Sequence, residues 1–176
     1  MSNVQHSSRS DMWYSPLSVI MLAQQVLGHI DLDPASDEHG NARVGAQYFI
    51  TREQDGLVSP WIPGTVFLNP PGGKLKNRSI AALFWWKLMT HLESGQLTHG
   101  IFMGFSVEQL AVTQKYHSLS MLDFPICVPR DRIHFDGVDA AAQAPSHSNV
   151  IVYVPGTTDK TDLFVETFSK LGKVKA

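Results

Sequence analysis

The segment from Thr65 to Gly73 joins a short apolar run to a stiff polar turn, Asn69-Pro70-Pro71. Two prolines in a row lack N–H donors and fix φ, so a strand must end before them. Ligands of open α/β sheets bind beyond the carboxyl ends of the strands. An amide oxygen and a carbonyl on such a turn can accept two hydrogen bonds from one planar amine, for example an amino group on an aromatic ring. Alternatively, Asn-Pro is simply a turn initiator.

Carboxylates stand at the ends of two other predicted strands. Asp31 and Asp33 precede Pro34, and Asp55 precedes Gly56. Carboxylates at strand ends accept hydrogen bonds from ribose hydroxyls and pair with amino groups. Asp before Pro or Gly is also ordinary loop chemistry. Because the Asp31–Pro34 segment and the Asp55-Gly56 turn both occur ahead of an Asn-Pro-Pro turn, we favour a cofactor site.

The elements that would position these residues alternate between helices and strands. Helices are predicted over 16–27 (with Ser15 as N-cap), 79–92, 106–116 and 162–171. Strands are predicted over 30–33, 47–50, 65–68, 100–105, 126–128, 133–135 and 150–154, and 35–46 is either a short helix or a loop. This order predicts an α/β fold with a mostly parallel sheet, an antiparallel C-terminal edge and helices on both faces.

Size and composition indicate one domain. The chain has 176 residues, of which 43% are hydrophobic and 17% charged, enough for a sizeable core. We expect residues 1–11 to be a flexible tail and 12–176 to be the domain. No apolar run reaches the length of a membrane span, and the N-terminus lacks the apolar core of a signal peptide. Cys127 is the only cysteine, which excludes an internal disulfide and a cysteine-rich metal site.

The formal net charge of −2 differs from the basic character of most duplex-binding domains. Nucleic acid would therefore have to bind through local patches. Lys74, Lys76 and Arg78 form one such patch after the proline turn. A second patch, Arg130 and Arg132, alternates on a predicted strand beside Phe135. Each patch is read as a phosphate-contacting surface or as an ordinary solvated surface.

The ordered set of motifs resembles the phage-type N-6-adenine DNA methyltransferases, the Dam-like family. The motifs are Trp13-x-Ser15-Pro16, Asp31-Leu-Asp33-Pro34-Ala35, Asp55-Gly-Leu57 with Trp61, and Asn69-Pro70-Pro71. They cover roughly residues 13 to 73. Residues 129–135 and 149–155 are similar to that family's closing strand pair.

The resemblance implies a Rossmann-like class I methyltransferase that uses S-adenosyl-L-methionine. It implies that the cofactor is held by Ser15, Pro16, Asp31, Asp33, Pro34 and Asp55. It implies that the target amine is held by Asn69, Pro70 and Pro71. We assign DNA contacts to Gly72, Lys74, Lys76, Arg130, Arg132 and Phe135.

Two departures from the family pattern concern the base and the cofactor. Many relatives carry an aromatic residue after the second proline, where it stacks on the base, but this chain has Gly72. Another aromatic would have to serve, and the sequence offers Trp61, Trp85, Trp86 and Phe135, although the tryptophans at 85 and 86 also suit core packing. The chain also lacks a G-x-G cofactor loop, so the Asp-x-Asp-Pro segment would have to replace it.

The expected function is therefore methyl transfer to the exocyclic amine of adenine in DNA, with the base flipped or single-stranded and without a metal. Alternative acceptors are RNA, a nucleotide or a protein amide, and another alternative is an inactive nucleotide-binding relative. We expect a cytoplasmic protein of a bacterium or phage-infected cell. The sequence indicates neither the recognition site nor the oligomeric state.

Overall fold

A computed structural model describes residues 13–136 and 147–176, and nine strands occur within them. The strands are β1 (Leu32–Asp33), β2 (Tyr48–Phe49), β3 (Gly64–Leu68), β4 (Lys74–Leu75), β5 (Arg78–Ser79), β6 (Leu97–Gly104), β7 (Ile126–Pro129), β8 (Val150–Pro155) and β9 (Gly172–Lys175). Seven of them form one sheet in the order β2-β1-β3-β6-β8-β7-β9, while β4 and β5 form a separate hairpin.

Five α-helices accompany these strands in the described residues. They are α1 (Leu17–Leu27), α2 (Glu38–Val44), α3 (Ile80–Glu93), α4 (Gln109–Val112) and α5 (Thr161–Phe168). Short 3₁₀ turns at Thr113–Lys115 and Met121–Asp123 follow α4. The predicted α/β fold class is confirmed.

The strands β2, β1, β3 and β6 run parallel to one another. The pairs β6–β8, β8–β7 and β7–β9 are antiparallel. The parallel neighbours β1 and β2 are joined through α2, and β3 and β6 through α3, because a parallel pair needs a crossover. The mostly parallel sheet with an antiparallel C-terminal edge is thus confirmed.

The sheet is covered by helices on both faces, and successive side chains along a strand pack alternately against the two helical layers. In β3, Phe67 packs in the layer that contains α1 and α5, whereas Val66 and Leu68 pack in the layer that contains α3. All three side chains are at most 1% exposed. A strand buried on both faces reads as a continuous apolar run, which is why residues 65–68 are recognisable in the sequence.

Two predicted helices need correction, one in its N-cap and one in its length. Helix α1 is capped by Pro16 rather than by Ser15, and no side chain caps it. Its C-terminal stop at Gly28 is as predicted, with φ 75°. The helix predicted to follow Ser106 is shorter than expected, since α4 has only one turn before the 3₁₀ segment.

The C-terminal third contains two further corrections. Residues 133–135 form no strand, because the Ile133 N–H donates to the Asn149 side chain (3.1 Å) instead of to a neighbouring strand. The last helix ends at Phe168, and residues 172–175 form the unpredicted edge strand β9 on β7. Gly172 permits this pairing, since a Cβ there would lie 2.1 Å from the Val128 carbonyl oxygen.

The β4–β5 hairpin was also missed from the sequence. Its two turn residues, Lys76 and Asn77, have φ of 47° and 64°. Positive φ at both central residues is typical of a two-residue hairpin turn. The predicted tail (1–11) and most of the predicted 137–148 loop lie outside the described residues.

Asp31 joins the start of β1 to β3. Its Oδ2 accepts hydrogen bonds from the Thr65 backbone N–H (2.7 Å) and from the Thr65 hydroxyl (2.8 Å). The Asp31 N–H in turn donates to Thr65. These reciprocal bonds align the two strands whose far ends carry Pro34 and Asn69.

Asp31→Ala is expected to lower the free energy of unfolding by about 1–3 kcal/mol, because it leaves the Thr65 backbone N–H without its acceptor, while the Thr65 hydroxyl keeps the His29 carbonyl. Urea unfolding monitored by circular dichroism measures the change. Asp131→Ala, on an exposed side chain, is the matched control and should have almost no effect. Equal stabilities of Asp31→Ala and the unmodified chain would contradict this role.

Candidate active site

A cavity of about 1040 Å³ opens beyond the carboxyl ends of the parallel strands. Its lining includes Asp33, which ends β1, Asn69, which follows β3, and Phe105, which follows β6. Asp55, in the connection after β2, also lines it. The chain connections diverge between β1 and β3, and this switch point is where α/β sheets bind their ligands. The three features singled out in the sequence therefore meet in one cavity.

The side chain of Asn69 is oriented by the N-terminal segment. Its Nδ2 donates a 2.8 Å hydrogen bond to the Trp13 carbonyl oxygen. A carbonyl oxygen can only accept, so this bond requires Nδ2, and not Oδ1, to face Trp13. The Asn69 Oδ1 has no hydrogen bond within the described chain. The residue thus presents a free acceptor beside the proline-fixed backbone of Pro70 and Pro71, both of which line the cavity.

Asp33 is a buried carboxyl group in the cavity wall, with 3% of its surface exposed. Its Oδ1 accepts a 3.2 Å hydrogen bond from the Ala35 N–H. Burial raises the pKa of Asp33 to about 7, with a further increase from the nearby Asp37 charge, although hydrogen bonds from Ala35 and Ser36 act in the opposite direction. A cationic group placed beside it would favour the ionised form.

Ser15 supplies a second buried polar group to the same wall. Its Oγ is buried and has no hydrogen-bond partner within the described residues. Buried hydroxyls are normally hydrogen-bonded. An unpaired one that lines a cavity is suited to a ligand with hydrogen-bonding groups.

The loop that carries Asp55 is packed closely against the end of β1. Asp55 itself has φ 58° and accepts a 2.9 Å hydrogen bond from the Leu57 N–H on Oδ1. A Cβ at Gly56 would lie 1.9 Å from the Pro34 carbonyl oxygen, so only glycine allows this approach. The Asp55 side chain is exposed toward the cavity.

The other predicted site residues fall into two groups. Those that line the cavity are Pro34, Gly72, Lys74 and Phe135. Those that do not are Pro16, Asp31, Lys76, Arg130 and Arg132. The arginines do not alternate on a strand, because β7 ends at Pro129 and residues 130–135 are irregular. Asp31 is bound to Thr65, as described above.

The aromatic residues considered for the base site are mostly elsewhere. Trp85 is fully buried in the core and Trp61 is 8% exposed, and neither lines the cavity, nor does the exposed Trp86. Of the aromatics considered there, only Phe135 lines the cavity. The lining also includes Trp13 and Phe105, which the sequence did not suggest for the base, together with Tyr14, Phe67 and Phe84.

Gly72 leaves open space at the position after the second proline. A Cβ added there would meet no heavy atom within 4 Å. The missing aromatic is therefore not replaced by a neighbour packed onto Gly72. Phe105 follows the adjacent strand, where β3 and β6 pair through Leu68 and Phe102, and this register is the signal that could have indicated it.

The family model described as DNA N-6-adenine-methyltransferase (Dam) matches residues 1–88, half of the chain. The chain belongs to this family. Dam enzymes transfer a methyl group to the N-6 amine of adenine in DNA, so the predicted enzyme class, reaction and DNA substrate are confirmed. The match runs through the Asn-Pro-Pro turn and ends within α3, so it includes every cavity feature discussed above except Phe105 and Phe135. No curated protein and no solved structure matches the chain.

None of the helices in 13–136 and 147–176 has both the length and the apolar character needed to cross a membrane. The same residues contain no group of three or more His, Cys, Asp or Glu side chains arranged to hold a metal ion.

The buried Asp33 predicts a pH-dependent difference in stability between the unmodified chain and Asp33→Asn. Its carboxyl keeps its proton up to about pH 7 when folded, but loses it near pH 3.8 when unfolded. Between these values the folded state binds more protons, so its stability falls as pH rises. The free energy of unfolding of Asp33→Asn, relative to that of the unmodified chain, should therefore rise by up to about 4 kcal/mol between pH 4 and 7. It should rise no further above pH 7.

Urea unfolding of both chains at closely spaced pH values measures this difference. Because all other titrating groups are shared, they cancel in the comparison. A stability difference that does not change between pH 4 and 7 would show that Asp33 is ionised in the folded free protein.

Proposed function

We propose that this Dam-family chain uses S-adenosyl-L-methionine as its methyl donor and holds the adenine amine with Asn69 and Pro70. The observation that carries this proposal is the Asn69–Trp13 hydrogen bond, which leaves the amide oxygen as a free acceptor at the cavity wall. Asp33, Pro34, Asp55 and Ser15 are assigned to the cofactor.

For methyl transfer, the protein mainly has to place the adenine amine correctly. The adenine amine is a weak nucleophile, because its lone pair is delocalised into the ring. If its two N–H groups donate to the Asn69 Oδ1 and to the Pro70 carbonyl, the nitrogen becomes more pyramidal and its lone pair more localised. Both acceptors stand on a turn stiffened by prolines, so they need little reorganisation. The amine loses its proton after transfer, and no strong base is needed.

The cavity residues fit the proposed cofactor. S-adenosyl-L-methionine supplies an electrophilic methyl group on a sulfonium centre. Its amino and ribose hydroxyl groups are donors, and the buried Asp33 carboxyl, the unpaired Ser15 Oγ and the Asp55 carboxylate are acceptors at the same wall. Since Asp33 is neutral over much of the range below pH 7, we infer that a cationic amino group would promote its ionisation.

The concave site also indicates how DNA must approach. The Asn69 acceptor lines a cavity that a base inside a duplex does not reach, so we propose that adenine is taken from a single strand or extruded from the duplex. The aromatic rings of Trp13, Phe105 and Phe135 offer stacking surfaces in the lining.

The β4–β5 hairpin is the proposed contact with the DNA backbone. It leaves directly from the Asn-Pro-Pro turn, and its three cations, Lys74, Lys76 and Arg78, are all exposed. Its base is anchored, since the Ser79 N–H donates to the Tyr116 hydroxyl (3.1 Å) and the Ile80 N–H to the Gly73 carbonyl (3.1 Å). A fixed cationic projection beside the amine site can position the sugar-phosphate backbone.

Asn69→Ala is expected to lower kcat by about 10²–10³-fold, because one of the two amine acceptors is lost. Binding of S-adenosyl-L-methionine should change by less than about threefold in Kd. The assays are mass-spectrometric detection of N6-methyladenine in mixed-sequence DNA and titration calorimetry. Asn69→Asp keeps an oxygen acceptor and should retain more activity, and exposed Gln25→Ala is the control. Transfer by Asn69→Ala at the unmodified rate would refute the assignment.

Lys76→Gln is expected to weaken binding to mixed-sequence duplex DNA and to reduce the slope of log K against log salt by about 0.9, the value for one phosphate contact. Fluorescence anisotropy across a salt series measures the slope. Lys170→Gln, on an exposed lysine outside the cavity lining, should leave both quantities unchanged. An unaltered slope in Lys76→Gln would mean that the hairpin does not contact phosphate through this side chain.

A further inference from the structure

One face of helix α3 is packed against residues 55–61, which we call the Asp55 loop. Phe84, Lys87 and His91 are spaced three and four residues apart and therefore share this face. The Lys87 Nζ donates to the carbonyl oxygens of Gly56 (2.9 Å), Leu57 (2.9 Å) and Ser59 (2.5 Å). An ammonium group has three N–H donors. All three are thus directed at one loop.

Trp61 contacts both the Lys87 ammonium and the Gly56 carbonyl. Its Nε1 donates to the Gly56 carbonyl (2.9 Å), the same oxygen that Lys87 binds. The Lys87 Nζ lies 5.3 Å from the centroid of the Trp61 ring, within the range of a cation–π interaction. The His91 ring meets Trp61 edge-on at 5.6 Å. The ammonium is therefore enclosed by three carbonyls and an aromatic ring.

The enclosed Lys87 ammonium bears on the backbone conformation and the carboxylate of Asp55. A non-glycine residue at φ 58° is in a conformation that its surroundings must maintain. The Asp55 carboxylate uses Oδ1 for the Leu57 N–H, and Oδ2 has no hydrogen bond within the described residues. Burial lowers the pKa of Lys87, whereas the Asp55 charge raises it, so the two groups interact electrostatically. Lys87 does not itself line the cavity.

We propose that Lys87 is a positioning residue for cofactor binding, because its ammonium fixes the carbonyls of the Asp55 loop and so holds the Asp55 carboxylate toward the cavity. This inference rests on the proposed function, in which S-adenosyl-L-methionine occupies that cavity. It assigns α3 a second role, since the helix that starts at the DNA-facing hairpin also fixes the cofactor-facing loop.

The test is Lys87→Met, which keeps the length of the side chain and removes its donors. Titration calorimetry with S-adenosyl-L-methionine should give a Kd raised about tenfold or more, and steady-state assays a matching rise in the cofactor KM. At saturating cofactor, kcat and the KM for DNA should stay within about threefold of the unmodified values. Lys115→Met, on an exposed lysine outside the cavity lining, is the matched control and should leave every value unchanged.

A double-mutant cycle with Asp55→Asn separates positioning from general destabilisation. Asparagine keeps the Oδ1 acceptor for Leu57 but removes the charge. If Lys87 acts through Asp55, Lys87→Met should raise Kd much less in the Asp55→Asn background than alone. Additive effects in the cycle would overturn the proposal, as would an unchanged Kd in Lys87→Met. A fall in kcat with unchanged Kd would also overturn it.

Two further variants keep the inference testable if Lys87→Met does not fold. Lys87→Arg keeps the charge and some of the donors, and should raise Kd less than loss of the donors does. Trp61→Phe keeps the ring and removes the N–H donor to Gly56, and should raise Kd by about threefold. Unchanged cofactor binding in both variants would overturn the proposal. Failure of the unmodified chain to bind S-adenosyl-L-methionine would instead overturn the proposed function.

Discussion

The hydrogen bond between the Asn69 amide and the Trp13 carbonyl is the contact on which the site depends. It joins residues 56 positions apart and brings the segment before α1 to the carboxyl end of β3. Because the carbonyl can only accept, the bond decides which end of the amide is left for a substrate. The same segment is held on its other side by the reciprocal backbone bonds of Tyr14 and Asp136. The wall that contains Ser15 and the turn that contains Asn69 are thus fixed relative to each other.

The residues of the candidate site that the sequence predicted have local signals. An apolar run that stops at two prolines identifies both the buried strand β3 and the turn after it, and Asp33-Pro34 and Asp55-Gly56 are turn signals of the same kind. Parallel strands then bring the three turns to one edge of the sheet. Asp31 belongs to the same Asp-Leu-Asp-Pro segment as Asp33 but lies before β1, where it accepts a hydrogen bond from the Thr65 N–H. The residue types in this segment do not show which aspartate lies at the carboxyl end of the strand.

The features that sequence reasoning missed depend on contacts distant along the chain. The backbone of Ile133 is satisfied by the Asn149 side chain, and no local pattern distinguishes this from a strand. Strand β9 exists because β7 offers an edge and Gly172 allows close approach. Lys87 fits the helical spacing of α3, but its acceptors lie in a loop 28 to 31 residues earlier. Spacing within a helix predicts a shared face, not what that face contacts.

The charge distribution explains how a chain with a net charge of −2 can act on DNA. The cavity lining carries charges of both signs, with Asp33 and Asp55 beside Arg43, Arg52 and Lys74. The cations of the β4–β5 hairpin are exposed shortly after the Asn69-Pro70-Pro71 turn. Lys87, by contrast, donates to three backbone carbonyls and is not available to phosphate. The hairpin at the start of α3 thus presents cations to solvent, whereas Lys87, farther along the same helix, binds the Asp55 loop. We therefore propose that DNA is held through this local cationic projection rather than through a uniformly basic surface.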